Sequence, residues 1–177
     1  MPQSFIADYI EALKSQDLPR IKQAEQHLRS IGPDNKDTLT EYIKALDHEN
    51  KLVRRKATWA LGSIGDKRAI PALLGMLGDQ DTTVRGLAIN ALGTIGDSEA
   101  VPELIRIIDS EKGYLRWEAA IALGTIGDRR AVPALIRALD DEDKYVRSNT
   151  ATALRVIGGK EAEEALARIG KAQFKKE

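Results

Sequence analysis

Few residues in this 177-residue sequence have the types and spacing that catalysis or metal binding requires. Cysteine is absent, so the chain offers neither a thiol nucleophile nor a thiolate metal ligand. The two histidines, His27 and His48, are too far apart in the sequence to share one turn of a helix. His48 is followed by Glu49 in a segment that we expect to be a loop. We therefore predict no catalytic residue and no metal ligand.

An acidic run over 140–143 is the other motif that suggests chemistry. It lacks the glycine and the spaced carboxylates of a calcium-binding loop. Related acidic segments recur at 47–49, 79–81 and 109–111. We expect these to be solvated loops whose carboxylates cap helices or pair with arginines of neighbouring repeats.

A sequence repeat with a period of 31 residues determines where these histidines and acidic segments lie in the fold. The stretch Gly62-Ser63-Ile64-Gly65-Asp66 returns at 93–97 and 124–128, and a decayed copy occupies 155–159. A fixed period of this length indicates stacked structural repeats. Apolar residues recur at spacings of three and four within each unit, which predicts two helices per repeat.

Caps and breakers set the predicted limits of these helices. The first helix of each pair, expected near 68–77, 99–108 and 130–139, carries a proline in its opening turn. The second is expected at 51–64, 82–95, 113–126 and 144–157. We predict N-caps at Asn50, Asp81 and Asp143, a less clean start at Gly113, and left-handed glycines at the ends of the second helices, namely Gly65, Gly96, Gly127 and Gly158.

The string Ala-Leu-Gly-x-Ile-Gly-Asp-x-x-Ala-(Val/Ile)-Pro-x-Leu resembles the short HEAT-like repeat of phycobilin lyases (the PBS lyase HEAT-like repeat). The resemblance implies an all-α, right-handed α-solenoid of HEAT-like helix pairs that ends in a C-terminal capping helix. We predict one domain over 1–177. It comprises divergent N-terminal helices over 4–45, regular repeats over 46–158, and a capping helix and tail over 159–177.

Deoxyhypusine hydroxylases have a similar repeat type and hold two irons with His-Glu pairs near the start of second helices. The matching positions here are Arg55-Lys56, Gly86-Leu87, Trp117-Glu118 and Ser148-Asn149. Glu118 alone fits that pattern, so the resemblance does not extend to a metal site.

A helical wheel places one side of each second helix away from the core. In HEAT-like stacks this side lines the concave surface, and here it carries both tryptophans of the chain. An exposed apolar stripe with tryptophans is typical of an interaction surface. In the alternative interpretation, Trp59 and Trp117 pack over Gly93 and Gly124 of adjacent helices. The predicted partner-binding residues are Arg55, Trp59, Ile89, Asn90, Trp117, Ile121 and Arg155.

These observations favour a non-catalytic adaptor or scaffold that binds a helix or peptide of another protein on its concave face. The arginines at the two ends, Arg55 and Arg155, would meet carboxylates of the partner. The resemblance leaves a second function open, a phycobilin lyase subunit or tetrapyrrole chaperone, and a bilin cofactor is expected only in that case. A role as a pure scaffold without a groove ligand also stays open.

Charge and hydropathy indicate whether DNA or a membrane is a partner and where the protein is located. Lys+Arg and Asp+Glu both number 27, and DNA binding on the concave face is a lesser alternative because few basic residues line it. No segment has the roughly 20 apolar residues of a membrane helix, and the N-terminal residues do not resemble a secretion signal. We expect a cytoplasmic protein without a membrane partner.

Overall fold

The computed structural model describes residues 5–15, 18–30, 36–110 and 113–173, and the tail after Gln173 lies outside them. Within these ranges the regular structure is entirely helical. The α-helices are α1 (Phe5–Ser15), α2 (Leu18–Ser30), α3 (Lys36–Ala45), α4 (Lys51–Ile64), α5 (Ile70–Met76), α6 (Thr82–Ile95), α7 (Val101–Ser110), α8 (Tyr114–Ile126), α9 (Val132–Ala138), α10 (Lys144–Ile157) and α11 (Lys160–Gln173). The predicted all-α repeat fold is confirmed.

Helices α4, α6, α8 and α10 are the second helices of the repeats, and their observed limits agree with the predicted ones to within one residue. Helices α5, α7 and α9 are the first helices, and each begins two residues later than predicted. A 3-10 turn occupies the residues just before each of them, at Lys67–Ala69, Ser98–Ala100 and Arg129–Ala131. The aspartate before each turn accepts a hydrogen bond from the backbone two residues later, which fixes this turn as part of every repeat.

The predicted caps of the second helices are observed. The side chains of Asn50 and Asp143 accept hydrogen bonds from the backbone N–H groups of Leu52 (2.9 Å) and Tyr145 (2.7 Å). Asp81 accepts from the backbone N–H groups of both Thr83 and Val84. Helix α8 starts after Gly113, which has no side chain to cap it, as the sequence predicted.

Glycines end the second helices. Gly65, Gly96 and Gly127 have φ values of 72°, 73° and 74°, the left-handed conformation in which glycine avoids the steric penalty of other residues. Gly158 also has a positive φ, but its ψ of −169° is extended, so the chain leaves α10 in a different direction.

The chain forms two compact units, Met1–Ala91 and Leu92–Glu177, and the division between them falls within α6. In the first unit α1 packs on α2 and α3 packs on α4, around a core that includes Leu39, Val53 and Leu61. In the second unit α8 packs between α7 and α10, and α10 also contacts α9 and α11. The single domain over 1–177 remains a prediction. No helix in the described ranges is long and apolar enough to cross a membrane.

Ion pairs between arginines and aspartates connect successive repeats within each unit. Arg54 donates two hydrogen bonds, of 2.7 and 2.9 Å, to the carboxylate of Asp79 in the next repeat. Arg116 contacts Asp141 at 3.1 Å in the equivalent arrangement. The Arg54 guanidinium holds the pKa of the Asp79 carboxyl below its usual value. Both pairs are largely buried, so they fix the spacing of adjacent loops.

Candidate functional site: the exposed face of the second helices

Consecutive second helices pack closely at one glycine in each repeat. A Cβ atom added at Gly93 would lie 2.8 Å from the Cβ of Ala122, and one added at Gly124 would lie 2.9 Å from the Cβ of Ala153. Gly62 has the same relation to Ala91. Real Cβ atoms do not approach this closely, so glycine is needed for the helices to pack at this distance. The atoms nearest to an added Cβ at Gly93 and Gly124 belong to Ala122 and Ala153.

Arg155 occupies the position that is glycine in the three preceding repeats. It lies in the last turn of α10, which is followed by the C-terminal helix α11 rather than by another second helix. The steric requirement for glycine therefore ends with the repeat, and the Arg155 side chain is exposed as predicted.

One position of the second helices is exposed in every repeat. It is occupied by Trp59, Asn90, Ile121 and Thr152, and the side chains of Trp59 and Ile121 are each 41% exposed. Single exposed apolar side chains are common on protein surfaces, whereas a cluster of them marks an interaction site. The exposure of these predicted residues is observed, and their role in binding stays a prediction.

Ile89 is a correction to the predicted surface. It was expected beside Asn90 on the exposed face, but its side chain is 0% exposed. Thr58 and Ala120, at the same position in other repeats, are also 0% exposed. The exposed face is thus one position narrower than the wheel indicated. Ile89 belongs to the core.

Arg55 is a second correction. It was expected to meet the carboxylates of a partner, but it donates hydrogen bonds of 2.9 and 2.7 Å to the carboxylate of Asp81 in the next repeat. The pair lowers the pKa of the Asp81 carboxyl. Asp81 also caps α6, so Arg55 forms its ion pair with a residue that the fold itself requires.

The second unit carries an aromatic surface that extends beyond the predicted residues. Tyr114 (38% exposed), the half-buried Trp117 and Ile121 lie on one face of α8, and we call these three residues the α8 patch. The rings of Tyr114 and Trp117 have their centroids 6.2 Å apart and are tilted by 53°. On the neighbouring helix α10, Tyr145 (59%) and Val156 (66%) are exposed.

Sequence reasoning missed both tyrosines, although a signal for them was present. Tyr114 and Tyr145 are separated by the period of the repeat, and Tyr114 precedes Trp117 by three residues and Ile121 by seven. These are the spacings of residues that share one face of a helix.

Glu118 is a charged residue of α8 whose importance the sequence did not indicate. It lies one turn after Tyr114 and three residues before Ile121, and its side chain is half-buried. Within the described part of the chain, the structure shows no hydrogen bond or ion pair to its carboxylate. Burial raises the pKa of the Glu118 carboxyl.

The first unit has the opposite charge at the equivalent position. Lys56, which aligns with Glu118 in the repeat, places its Nζ 4.8 Å from the centre of the Trp59 ring. This is cation–π geometry, in which the ring's own helix supplies the cation. The exposed tryptophan of this unit therefore has a positive side chain beside it.

The described residues contain no group of three or more His, Cys, Asp and Glu side chains that could hold a metal ion. The Nδ1 atom of His48 accepts a hydrogen bond from the backbone N–H of Asn50, which gives it a structural role in the loop before α4. The side chain of His27 lies outside the described part of the chain.

Comparisons with known proteins agree with this architecture. The family profile described as HEAT repeats matches residues 10–83, 39–114 and 101–173. Among curated proteins, none matches the sequence.

Several solved structures are similar to this chain. One is the complex of CpcE and CpcF of phycocyanin lyase from Nostoc sp. PCC7120, with 26% identity and a TM-score of 0.69 over 89% of this chain and 65% of that one. Another is human deoxyhypusine hydroxylase in complex with glycerol, with 28% identity and a TM-score of 0.55 over 86% and 62%. This chain thus spans less than two thirds of either protein.

A computationally designed armadillo repeat protein for modular peptide recognition is similar in fold alone. Its identity is 20% and its TM-score 0.56, over 91% of this chain and 86% of that one. Together these structures place the chain among repeat folds that are typical of protein-interaction scaffolds.

Proposed function

Because this chain belongs to the HEAT-repeat family, we propose that it is a non-catalytic adaptor that binds another protein on the exposed face of its second helices. The observation that carries the proposal is the exposure of large apolar side chains where a solvent-facing helix would normally be polar. Trp59 and Ile121 are each 41% exposed, and Tyr114 is 38% exposed. Tryptophan and tyrosine are the residues that most often dominate the binding energy of protein interfaces.

The framework beneath this face supports rigid binding. Buried arginine–aspartate pairs and close glycine–alanine contacts hold consecutive second helices within each unit. A preordered surface loses little conformational entropy when a partner binds, so more of the apolar burial contributes to affinity.

The size of the surface suits a helix or an extended peptide. Tyr114 and Ile121 are two helical turns apart, or about 10 Å along α8, and the neighbouring helix α10 adds Tyr145. Two or three apolar side chains of a partner helix, spaced three or four residues apart, would cover this area.

A capture experiment with matched variants tests the proposal. The purified protein is immobilised, and proteins retained from a lysate of its native host are quantified for wild type, Trp117→Ala/Ile121→Ala, and Leu18→Ala. Leu18 is 69% exposed on α2, which is not one of the four second helices, so it controls for general loss of apolar surface. We expect a specific partner to be lost with the double variant and kept with the control. Retention of every partner by the double variant would reject this binding face.

A subunit of a bilin lyase is the second candidate, favoured by the similarity to the phycocyanin lyase complex. In this function the aromatic side chains would stack on a tetrapyrrole and Arg155 would pair with a propionate. Expression in a host that makes bilins tests it directly. A visible absorption band that copurifies with the wild type and is lost in Trp117→Ala supports this function, and a colourless protein argues against it.

The structure offers fewer free cations for DNA binding than the sequence suggested. Of the two arginines expected on the face, Arg55 is neutralised by Asp81. A phosphate track needs several free cations, and a duplex would be bound in a strongly salt-dependent way. Failure to shift duplex DNA at low salt would remove this alternative.

A further inference from the structure

The charge of the binding face in the second unit points to the chemistry of its partner. Arg116 pairs with Asp141, and Arg147 donates to the backbone carbonyls of Asp141 and Glu142, so both arginines are engaged by the loop before α10. Arg155 is at the opposite end of α10, in its last turn. Of the two charged residues of α8, Arg116 is thus paired, and Glu118 is the one that lies within one turn of every residue of the α8 patch.

Glu118 is placed where a partner would cover it. It is on the same helix as Tyr114, Trp117 and Ile121, within one turn of each, and its side chain is already half-buried in the free protein. Within the described residues no donor hydrogen-bonds to its carboxylate. A partner that buried the α8 patch would remove more water from this carboxylate, at a considerable cost in free energy unless the partner supplied a donor or a cation.

We propose that Glu118, framed by Tyr114, Trp117 and Ile121, anchors a lysine or arginine side chain of the bound partner. This inference rests on the proposed adaptor function and specifies its partner as a basic segment. It reverses the prediction drawn from Arg55 and Arg155, which implied an acidic partner.

The surroundings of Glu118 match both parts of a basic side chain. Long cationic side chains place their methylene groups on apolar surface and their charged group on a polar partner. Here Ile121 and the Trp117 ring offer the apolar surface, the carboxylate offers a charge-assisted hydrogen bond, and the two rings can add cation–π attraction. In the first unit the cation comes from the protein itself, because Lys56, at the position of Glu118, lies over the Trp59 ring.

A displayed library of random 12-residue peptides tests the inference without a known partner. The library is selected on the wild type, and enriched peptides are then titrated against wild type, Glu118→Gln, Glu118→Arg and Glu163→Gln. Glu163 is an exposed glutamate of α11 and serves as the matched control. Circular dichroism confirms that every variant is folded.

We expect the selected peptides to be enriched in lysine or arginine. Their affinity should fall about tenfold with Glu118→Gln, in line with the loss of a charged hydrogen bond, and stay unchanged with Glu163→Gln. Added salt should weaken binding to the wild type more than to Glu118→Gln. Selection on Glu118→Arg should yield acidic peptides instead.

Two different failures can be told apart with one further variant, Trp117→Ala. In the first failure, the enriched peptides are neutral or acidic, bind Glu118→Gln normally and no longer bind Trp117→Ala. This result would overturn the assignment of Glu118 and leave the adaptor function intact. If no peptide is enriched, or if enriched peptides bind Trp117→Ala normally, the proposed binding face itself is rejected, and the role of Glu118 with it.

Discussion

Glu118 and Lys56 occupy the same position of two repeats, and their different surroundings show how single residues define this surface. Lys56 is paired with the ring of Trp59, whereas Glu118 has apolar and aromatic neighbours on its helix and no paired charge among the described residues. A charged group that is half-buried and unpaired lowers the stability of the free protein. Such a cost is typical of residues that serve binding rather than folding.

The stability of a Glu118→Gln variant tests this assignment. The folded state raises the pKa of this carboxyl, so the charged form is disfavoured in the folded protein above that pKa. We expect Glu118→Gln to be more stable than the wild type at pH 7. The difference should disappear as the pH falls below 4.5, where the carboxyl is protonated in both states. Urea unfolding at pH 7 and pH 4 measures it, and a less stable variant at pH 7 would show that the carboxylate makes a stabilising contact.

Asp79 has the opposite linkage to pH. Its folded pKa is lowered by Arg54, so the pair stabilises the protein above pH 3.8 and this contribution is lost as the pH falls through the lowered value. We expect Asp79→Asn to cost about 2 kcal/mol at neutral pH, since it weakens charged hydrogen bonds that are mostly buried. The difference from wild type should shrink towards pH 2.

The exposed pair of Glu103 and Arg106 provides the control for Asp79. Glu103→Gln should change the free energy of unfolding by less than about 0.5 kcal/mol, because solvent screens ion pairs on the surface. An equal effect of the two substitutions would contradict the structural role assigned to the buried pair.

Helices α8 and α10 show what the repeat requires of an element. Gly124 and Ala153 allow the two helices to approach so closely that no Cβ fits at the glycine.

Gly124→Ala should therefore destabilise the protein even though alanine favours helices. We expect a loss of about 1–3 kcal/mol from overpacking, measured by chemical denaturation. Gly75, on the exposed surface of α5, has nothing within 4 Å of an added Cβ. Gly75→Ala should leave stability unchanged or raise it by up to about 1 kcal/mol. A Gly124→Ala protein as stable as Gly75→Ala would contradict the close-packing argument.

The elements were largely predictable, because their signals are local. The period of 31 residues gave the helix pairs, and Asn50, Asp143 and Gly65 gave the caps that the structure contains. The 3-10 turns were missed, so the first helices were expected to begin at the aspartate-capped turn rather than after it. Their formation depends on a side-chain hydrogen bond that the apolar periodicity does not reveal.

The binding face was less predictable, because it depends on distances between helices. A helical wheel treats each helix alone and cannot show that Ile89 is buried while Asn90 remains exposed. The partner of Arg55 lies 26 residues away in the sequence, so its pairing also becomes visible only in three dimensions. Trp59 and Ile121 were placed on the outward side of the wheel and are exposed, although the sequence left open whether the tryptophans pack against neighbouring helices.

At the scale of the whole molecule, a regular helix-pair repeat carries few groups that could do chemistry and a limited set of exposed apolar side chains. The repeat explains the regular spacing of the glycines and caps along the sequence. What differs between repeats, at Trp59, Asn90, Ile121 and Thr152, is the part that a partner would distinguish. This division between a uniform framework and a variable face is the physical basis of the adaptor function proposed here.

The two tryptophans of the chain make this claim directly measurable, since each gives one indole N–H signal in a nitrogen-15 correlation spectrum. The signals are assigned with Trp59→Phe and Trp117→Phe, and the wild type is titrated with the most strongly enriched library peptide. We expect the Trp117 signal to shift in step with binding and to saturate with it. A peptide that saturates the protein while both indole signals stay unchanged would contradict it.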